Sequence, residues 1–408
     1  MKKRHIICYS AIFLALSLFS FNITLSALAN RNIGTLASML TAKAASLPSP
    51  SVCTNENRID NLSDITTAGL RELNQYQNIC GSFVANHMML LTSMPNSTKN
   101  AIELADSMAA TLKTYSEYGV SPIVMVEPVT SWGLVDFSEY ESGFYDDWIS
   151  AYFKELKLQG LTDSQMGTWV PFPEANLPYW NTANTTASDF GVIVSKYLEA
   201  LEGYFPNAQG SILLSSATYT DTNFSWQNEN YASLLPYITN IEPGLVDSVG
   251  LQGFPWMPPE GSTAAPITNA NTFLNIKQAT SMADALKTKE IWFNTGTFST
   301  AYAQSPNSIV FVDASTRLQI LDSIISEASI AKSKGYDVSI NLFAQDQSNT
   351  KEAIDWSYWH SEADESNIQA DAMKSFIQGV YSHGIQLSIF DNGEQASNIP
   401  LIQDYMPE

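Results

Sequence analysis

A chain of 408 residues, with 45% hydrophobic and 11% aromatic content, is long enough for one large domain or two. Its 41 acidic against 20 basic residues give a formal charge of −21, which excludes a surface built to grip nucleic acid or anionic lipid and leaves neutral or cationic partners. Three cysteines and four histidines carry no ligand spacing, so no metal site and no cofactor is expected.

The N-terminus reads as an export signal over residues 1–29. Lys2, Lys3 and Arg4 precede a mostly apolar run from Ile6 to Phe19, and Ala27-Leu28-Ala29 offers a small-x-small cleavage site. Asn22 and Thr24 break the run before it reaches the ~20 residues of a membrane span. The expectation is a secreted protein, extracellular or periplasmic, monomeric, and free of the membrane once the signal is removed. Export leaves Cys53 and Cys80 as an even pair in an oxidising compartment. Bridged, they contribute on the order of 3 kcal/mol; the alternative is two buried thiols. Leu47-Pro48-Ser49-Pro50 cannot hold a helix, so the Ala-, Ser- and Pro-rich residues 30–61 read as a linker or N-terminal arm.

From residue 62 to 408, β-rich runs alternate with amphipathic helical patterns. Strands are expected at 81–86, 122–127, 167–172, 211–215, 248–252, 290–294, 338–343 and 386–391. Helices, with apolar residues recurring at three and four, are expected at 99–118, 145–159, 187–204, 230–238, 271–286, 317–334 and 368–381. Eight strands in strict alternation with helices predict an α/β fold, a (β/α)8 TIM barrel with a closed parallel sheet. The last strand is expected to complete the cylinder. No Gly-x-Gly-x-x-Gly follows any strand, which removes the case for a dinucleotide site, and no Gly-x-Ser-x-Gly elbow supports a serine esterase.

A barrel carries its chemistry on the loops after the strands. Those ends offer His87, Glu127, Pro173-Glu174-Ala175-Asn176, Ser215-Ser216, Phe254-Pro255-Trp256, Asn294, Asp346 and Asp391. Carboxylates beside aromatics are what glycosidic bond chemistry needs. Glu174 stands out because it directly follows a strand and has Trp169, Phe172, Tyr179 and Trp180 nearby. Such walls would desolvate its carboxyl and keep it protonated as a general acid. The plainer alternative is a solvated glutamate capping the next helix. Trp132, Trp180 and Trp256 are the loop aromatics suited to stacking on sugar, whereas Trp292 lies inside a strand and reads as core. His87 could donate to a sugar hydroxyl or be a satisfied structural histidine.

These segments resemble the family-26 glycoside hydrolases. Pro173-Glu174-Ala175-Asn176-Leu177-Pro178-Tyr179-Trp180 is similar to the family's His-Glu-Met-Asn and the aromatic run after it. Tyr145-Asp146-Asp147-Trp148-Ile149 resembles the helix opening before that strand, Val246 to Trp256 the family's Val-Asp-x-Val-Gly segment, and Ala353-Ile354-Asp355-Trp356 its late Asp-Trp element. Glu290 to Gly296 is similar to the strand that carries the nucleophile. The family is a retaining clan-A barrel acting mainly on β-mannans, so the resemblance implies Glu174 as acid/base and a polysaccharide or glycan partner. Asn176, Trp180, Phe254, Trp256, Trp132 and His87 are then the residues expected to bind substrate. The departures are as informative: Asn294 stands at the nucleophile position, Pro173 replaces the histidine before the acid/base, and Phe254 replaces the tyrosine that holds the nucleophile. An amide cannot form the glycosyl ester of a retaining mechanism. Glu127, Asp346 or Asp391 could supply a second carboxyl for an inverting reaction, or the substrate's own acetamido group could attack. The expectation is therefore a glycosidase working on a β-linked polysaccharide such as mannan. The alternative is a non-catalytic carbohydrate-binding barrel that keeps the cleft and not the reaction.

Overall fold

The computed structural model of the chain describes residues 87–93, 97–117, 121–127, 129–130, 133–134, 137–176, 186–216, 234–255, 269–297, 300–302, 309–343, 354–355, 372, 375–376, 379–380 and 382–390. The export signal, the N-terminal arm, Cys53 and Cys80 lie outside these residues.

Eight strands form one parallel sheet in chain order: β1 (His87–Ser93), β2 (Ser121–Glu127), β3 (Thr168–Pro171), β4 (Gln209–Ser215), β5 (Ser248–Gln252), β6 (Glu290–Gly296), β7 (Asp337–Phe343) and β8 (Gln386–Phe390). β8 pairs in parallel with β7, Ser339 opposite Gln386, as expected for the last strand, and β1 touches β8 at the seam. The result is an α/β TIM-barrel-like fold.

The first strand differs from expectation. It runs over the apolar stretch His87-Met-Met-Leu-Leu-Thr-Ser and pairs with β2 along seven residues, whereas 81–86 lies outside the described residues. The Met88–Leu91 run is the longer apolar segment and gives β2 a full-length partner. The shift moves His87 to the start of β1, opposite Ser121, so its backbone sits at the N-terminal floor of the barrel and not at the mouth where substrate binding was expected.

The long helices follow their patterns: α1 (Thr98–Glu117), α2 (Asp146–Leu158), α3 (Ala187–Tyr204), α4 (Ile276–Leu286) and α5 (Ala314–Ser333). α1 buries Ala101, Ala105, Met108, Leu112 and Tyr115, one stripe at three- and four-residue spacing, and packs it on α2. Side-chain caps set the starts: Thr186 and Asp189 form a capping box at α3, and Asp313 accepts from Thr316 N at α5. The helix expected at 230–238 is described only as the short Leu235–Ile238.

Two packing layers separate cleanly. Outward-facing strand residues join the helices in a large core that includes Trp169, Phe172, Phe153 and Tyr197. Inward-facing Ile123, Met125, Val170, Leu213 and Trp292 form a second cluster inside the cylinder. Trp292, expected as core, lies across the interior and donates from Nε1 to Ser211 Oγ at 2.9 Å. Gly250 makes this possible: a Cβ there would stand 2.5 Å from the Trp292 ring. The same strands expose a cavity of ≈ 240 Å³ on the floor side, lined by Thr168, Ser248, Glu290 and Asp337 and reaching up to Trp292 and Asn341.

Candidate active site

The mouth of the barrel is built by alternation. On parallel strands in register, Gln252, Asn294 and Asn341 stand side by side at the same level of β5, β6 and β7. Each lies two positions beyond an inward residue (Gly250, Trp292 and Ser339), so all three share the inward parity. A polar layer thus sits above the Trp292 layer, where the strands end and the loops begin.

Glu174 joins this layer from the turn after β3. Phe172 and Glu174 both adopt left-handed backbone, at φ 54° and 59°, which costs a non-glycine residue on the order of 1 kcal/mol or more each. The neighbouring strands hold the turn in place. Phe172 N donates to Val126 O at 2.8 Å on the β2 side, and Glu174 N donates to Leu213 O at 2.7 Å on the β4 side. Asn176 completes the grip, with Nδ2 donating to Ser215 O and Oδ1 accepting from Ser215 N, both at 2.8 Å. Its amide therefore bonds the β4 backbone through both its donor and its acceptor end. In this position it clamps the Glu174 turn to β4.

Four side chains are linked across the mouth. Asn341 Nδ2 donates to Asn294 Oδ1 at 3.2 Å, Asn294 Nδ2 to Gln252 Oε1 at 2.5 Å, and Gln252 Nε2 to Glu174 Oε1. Exposures are low throughout: Glu174 3%, Asn294 2%, Asn341 4% and Gln252 8%. Each donor–acceptor pair satisfies the next, which is what four buried polar groups require. Glu174 and Asn294, singled out from the sequence, are brought together through one intervening amide. Gln252 and Asn341 were not singled out, because polar residues at strand ends are ordinary. The signal that would have found them is their shared inward parity with Asn294.

Two of the aromatics expected to wall Glu174 face away from it. Trp169 and Phe172 are fully buried, but their rings face the helix layer: Phe172 packs on Tyr140 (centroids 5.6 Å) and Tyr197 (6.1 Å), and Trp169 on Phe153 (5.3 Å). Alternation sends Trp169 outward, and the left-handed turn sends Phe172 the same way. Gln252, from the amide layer, lies against the Glu174 carboxyl, and Tyr179 and Trp180 lie outside the described residues. Burial pushes the Tyr140 and Tyr197 hydroxyls well above the usual tyrosine range, so both stay neutral.

The other expected site residues are placed as follows. Glu127 ends β2 on the same rim, with Val126 opposite Pro171 in register. Phe254 is half-buried on the loop after β5. Trp132, Trp180, Trp256, Asp346 and Asp391 lie outside the described residues. The rim carries added structure: a hairpin of Val129–Thr130 and Gly133–Leu134, and a three-stranded sheet that joins Thr300–Tyr302 and Ile309–Phe311 after β6 to Ile354–Asp355 after β7. Floor turns are short by contrast, three residues between α4 and β6 and three between α5 and β7. Elaborated loops on one face mark that face as the working one.

Among the described residues no helix is long and apolar enough to cross a membrane. No family model and no curated protein matches this chain. Solved structures do. An exo-β-1,4-mannosidase, Op5Man5 from Opitutaceae bacterium strain TAV5, is 12% identical with a TM-score of 0.51, covering 84% of this chain and 60% of that one. A family 1 β-glucosidase from Thermotoga maritima is 11% identical with a TM-score of 0.48, covering 78% and 87%. An endo-1,4-β-D-mannanase from Thermotoga petrophila RKU-1 is 10% identical with a TM-score of 0.38, covering 84% and 88%. These structural neighbours are glycosidases, and the likeness to the first of them supports the TIM-barrel-like fold.

Proposed function

We propose that this protein is a glycoside hydrolase-like barrel acting on a β-linked polysaccharide such as mannan, with Glu174 as its general acid/base. The observation that carries the reading is a carboxyl held buried on a strained, triply anchored turn at the barrel mouth, where strain is kept only if the surroundings over-determine it. The resemblance of its surrounding segments to family-26 enzymes supports this choice of substrate class, and the fold shared with an exo-β-1,4-mannosidase is consistent with it. In this reading Glu174 gives its proton to the leaving glycosidic oxygen, and the carboxylate left behind is received by the Gln252 donor. Asn294 cannot serve as a nucleophile, so the attacking group is a water activated by another rim carboxyl, of which Glu127 has its backbone on the same rim.

A second reading is favoured by the same amide. Asn294 fills the nucleophile position and is hydrogen-bonded to its neighbours, as in a barrel that binds glycan without cleaving it. Turnover of mannan, glucan and xylan, wild type against Glu174→Gln, separates the two. Reducing-sugar release by the wild type alone supports the enzyme. Equal oligosaccharide binding by both proteins with no release by either supports the binding barrel. Release that survives Glu174→Gln removes Glu174 from the reaction.

A further inference from the structure

The hydrogen bonds that run from Asn341 to Glu174 all point one way: every amide donates toward the carboxyl, and the carboxyl only accepts. A side-chain amide has a donor end and an acceptor end of nearly the same shape, so turning it over keeps the contacts and reverses the sense of donation. We infer that Gln252, Asn294 and Asn341 form a polarity-reversing relay that couples the proton on Glu174 to the orientation of the Asn294 amide, with Gln252 as the positioning residue at its head.

The two states follow from hydrogen-bond counting. With Glu174 ionised, Gln252 Nε2 donates to it, Asn294 donates to Gln252, and Asn341 donates to Asn294, which is the arrangement observed. With a proton on Glu174 Oε1, that proton is donated to Gln252 Oε1. The Gln252 amide then donates to Asn294 Oδ1, and Asn294 donates to Asn341 Oδ1. Both states pair every amide in the row. A mixed state sets oxygen against oxygen or nitrogen against nitrogen in a layer that water barely reaches, so the three amides turn together. Asn294 thereby offers opposite faces of its amide before and after Glu174 gives up its proton. Within the proposed hydrolysis the relay receives the carboxylate when the proton leaves. The relay itself needs only the hydrogen-bonded row, so it stands or falls separately from catalysis.

Few other groups on the packed elements can imitate this response. β4 and β5 bring no titratable side chain to the mouth, and the acids of β6 and β7, Glu290 and Asp337, lie at the floor ends of their strands. Tyr140 and Tyr197 behind Phe172 are held neutral by burial. Glu127 ends β2 on the rim, and Asp346 and Asp391 follow β7 and β8 in the sequence.

The experiment is NMR on the full chain, with the carboxyl carbon of Glu174 and the side-chain NH2 groups of Gln252, Asn294 and Asn341 followed against pH. All four signals should move with one midpoint in the wild type and in Glu127→Gln. In Gln252→Leu, Glu174 should still titrate while the pH-dependent shifts at Asn294 and Asn341 are lost. In Glu174→Gln, which keeps the shape of the layer, all three amides should become independent of pH across that range. If Gln252→Leu does not fold, Gln252→Met is the substitute, and the Glu174→Gln comparison applies unchanged. An Asn341 signal that is flat in the wild type overturns the relay. So does one that keeps its shift when Gln252 is replaced, because a field acting through space would do that.

Discussion

The two ends of this barrel use buried polar groups differently. At the floor, Ser211 and Ser248 bond each other and the Trp292 indole, and the turns that close the strands are short, with Lys287 in left-handed backbone only as the C-cap of α4. At the mouth, Gln252, Asn294 and Asn341 lead to a carboxyl on a turn with two left-handed non-glycine residues, beneath loops long enough to build their own small sheets. The floor's polar atoms stitch neighbouring strands and seat a large ring. The mouth's polar atoms converge on one ionisable group. Polarity inside a barrel is thus no mark of a site by itself; convergence on a titratable side chain, held at a backbone cost, is.

The largest expected effect is on activity. Glu174→Gln should lower glycoside turnover by roughly 100-fold or more while the melting temperature stays near wild type, since the amide keeps the shape of the carboxyl. Loss of folding in this variant would place Glu174 with the floor, as a structural group. The converse case is Gly250→Val, which drives side-chain atoms into the Trp292 ring and the Ile212 carbonyl and should cost about 1–3 kcal/mol, read as a lower thermal midpoint. Unchanged stability would mean that Trp292 does not fill the interior as described. Asn176→Leu removes both bonds of the clamp and should cost on the order of 1–3 kcal/mol by denaturant unfolding. Turnover should fall as well, because the Glu174 turn loses its β4 anchor; a stability loss without an activity loss would show that the turn holds itself.

The smallest effect concerns pH at the floor. Partial desolvation, helped by nearby Asp247 and Asp337, holds the Glu290 carboxyl above its ordinary value of 4.5. The folded state therefore keeps this proton longer than the unfolded chain. The stability from Glu290 is full below about the ordinary glutamate value and is lost as pH rises through the elevated folded value. Glu290→Gln should flatten that decline above the ordinary value, measured as thermal midpoint against pH, and leave the acid side little changed. A steeper decline in the variant would reverse the sign assigned to Glu290.

The order of elements was legible because alternation of β-rich runs with three-and-four periodicity survives in this chain from α1 to β8. Glu174 was legible because Pro173-Glu174 follows a strand at once. What failed was finer than a strand's length. Starting the first strand at residue 81 rather than 87 carries His87 from the floor to the mouth, since one strand spans the barrel's height. Trp169 and Phe172 read as walls for Glu174 by proximity in sequence, yet alternation turned one to the helices and a left-handed backbone turned the other. Gln252 and Asn341 were hidden for a different reason: their significance lies in register between strands far apart in the chain, which no local pattern displays.

The most direct test of the account is a crystal of the Glu174→Gln protein soaked with a β-linked manno-oligosaccharide. A sugar should appear at the C-terminal mouth, with a glycosidic oxygen within hydrogen-bond reach of residue 174. Sugar bound only elsewhere on the molecule, with residue 174 sealed beneath the amide layer, would contradict it.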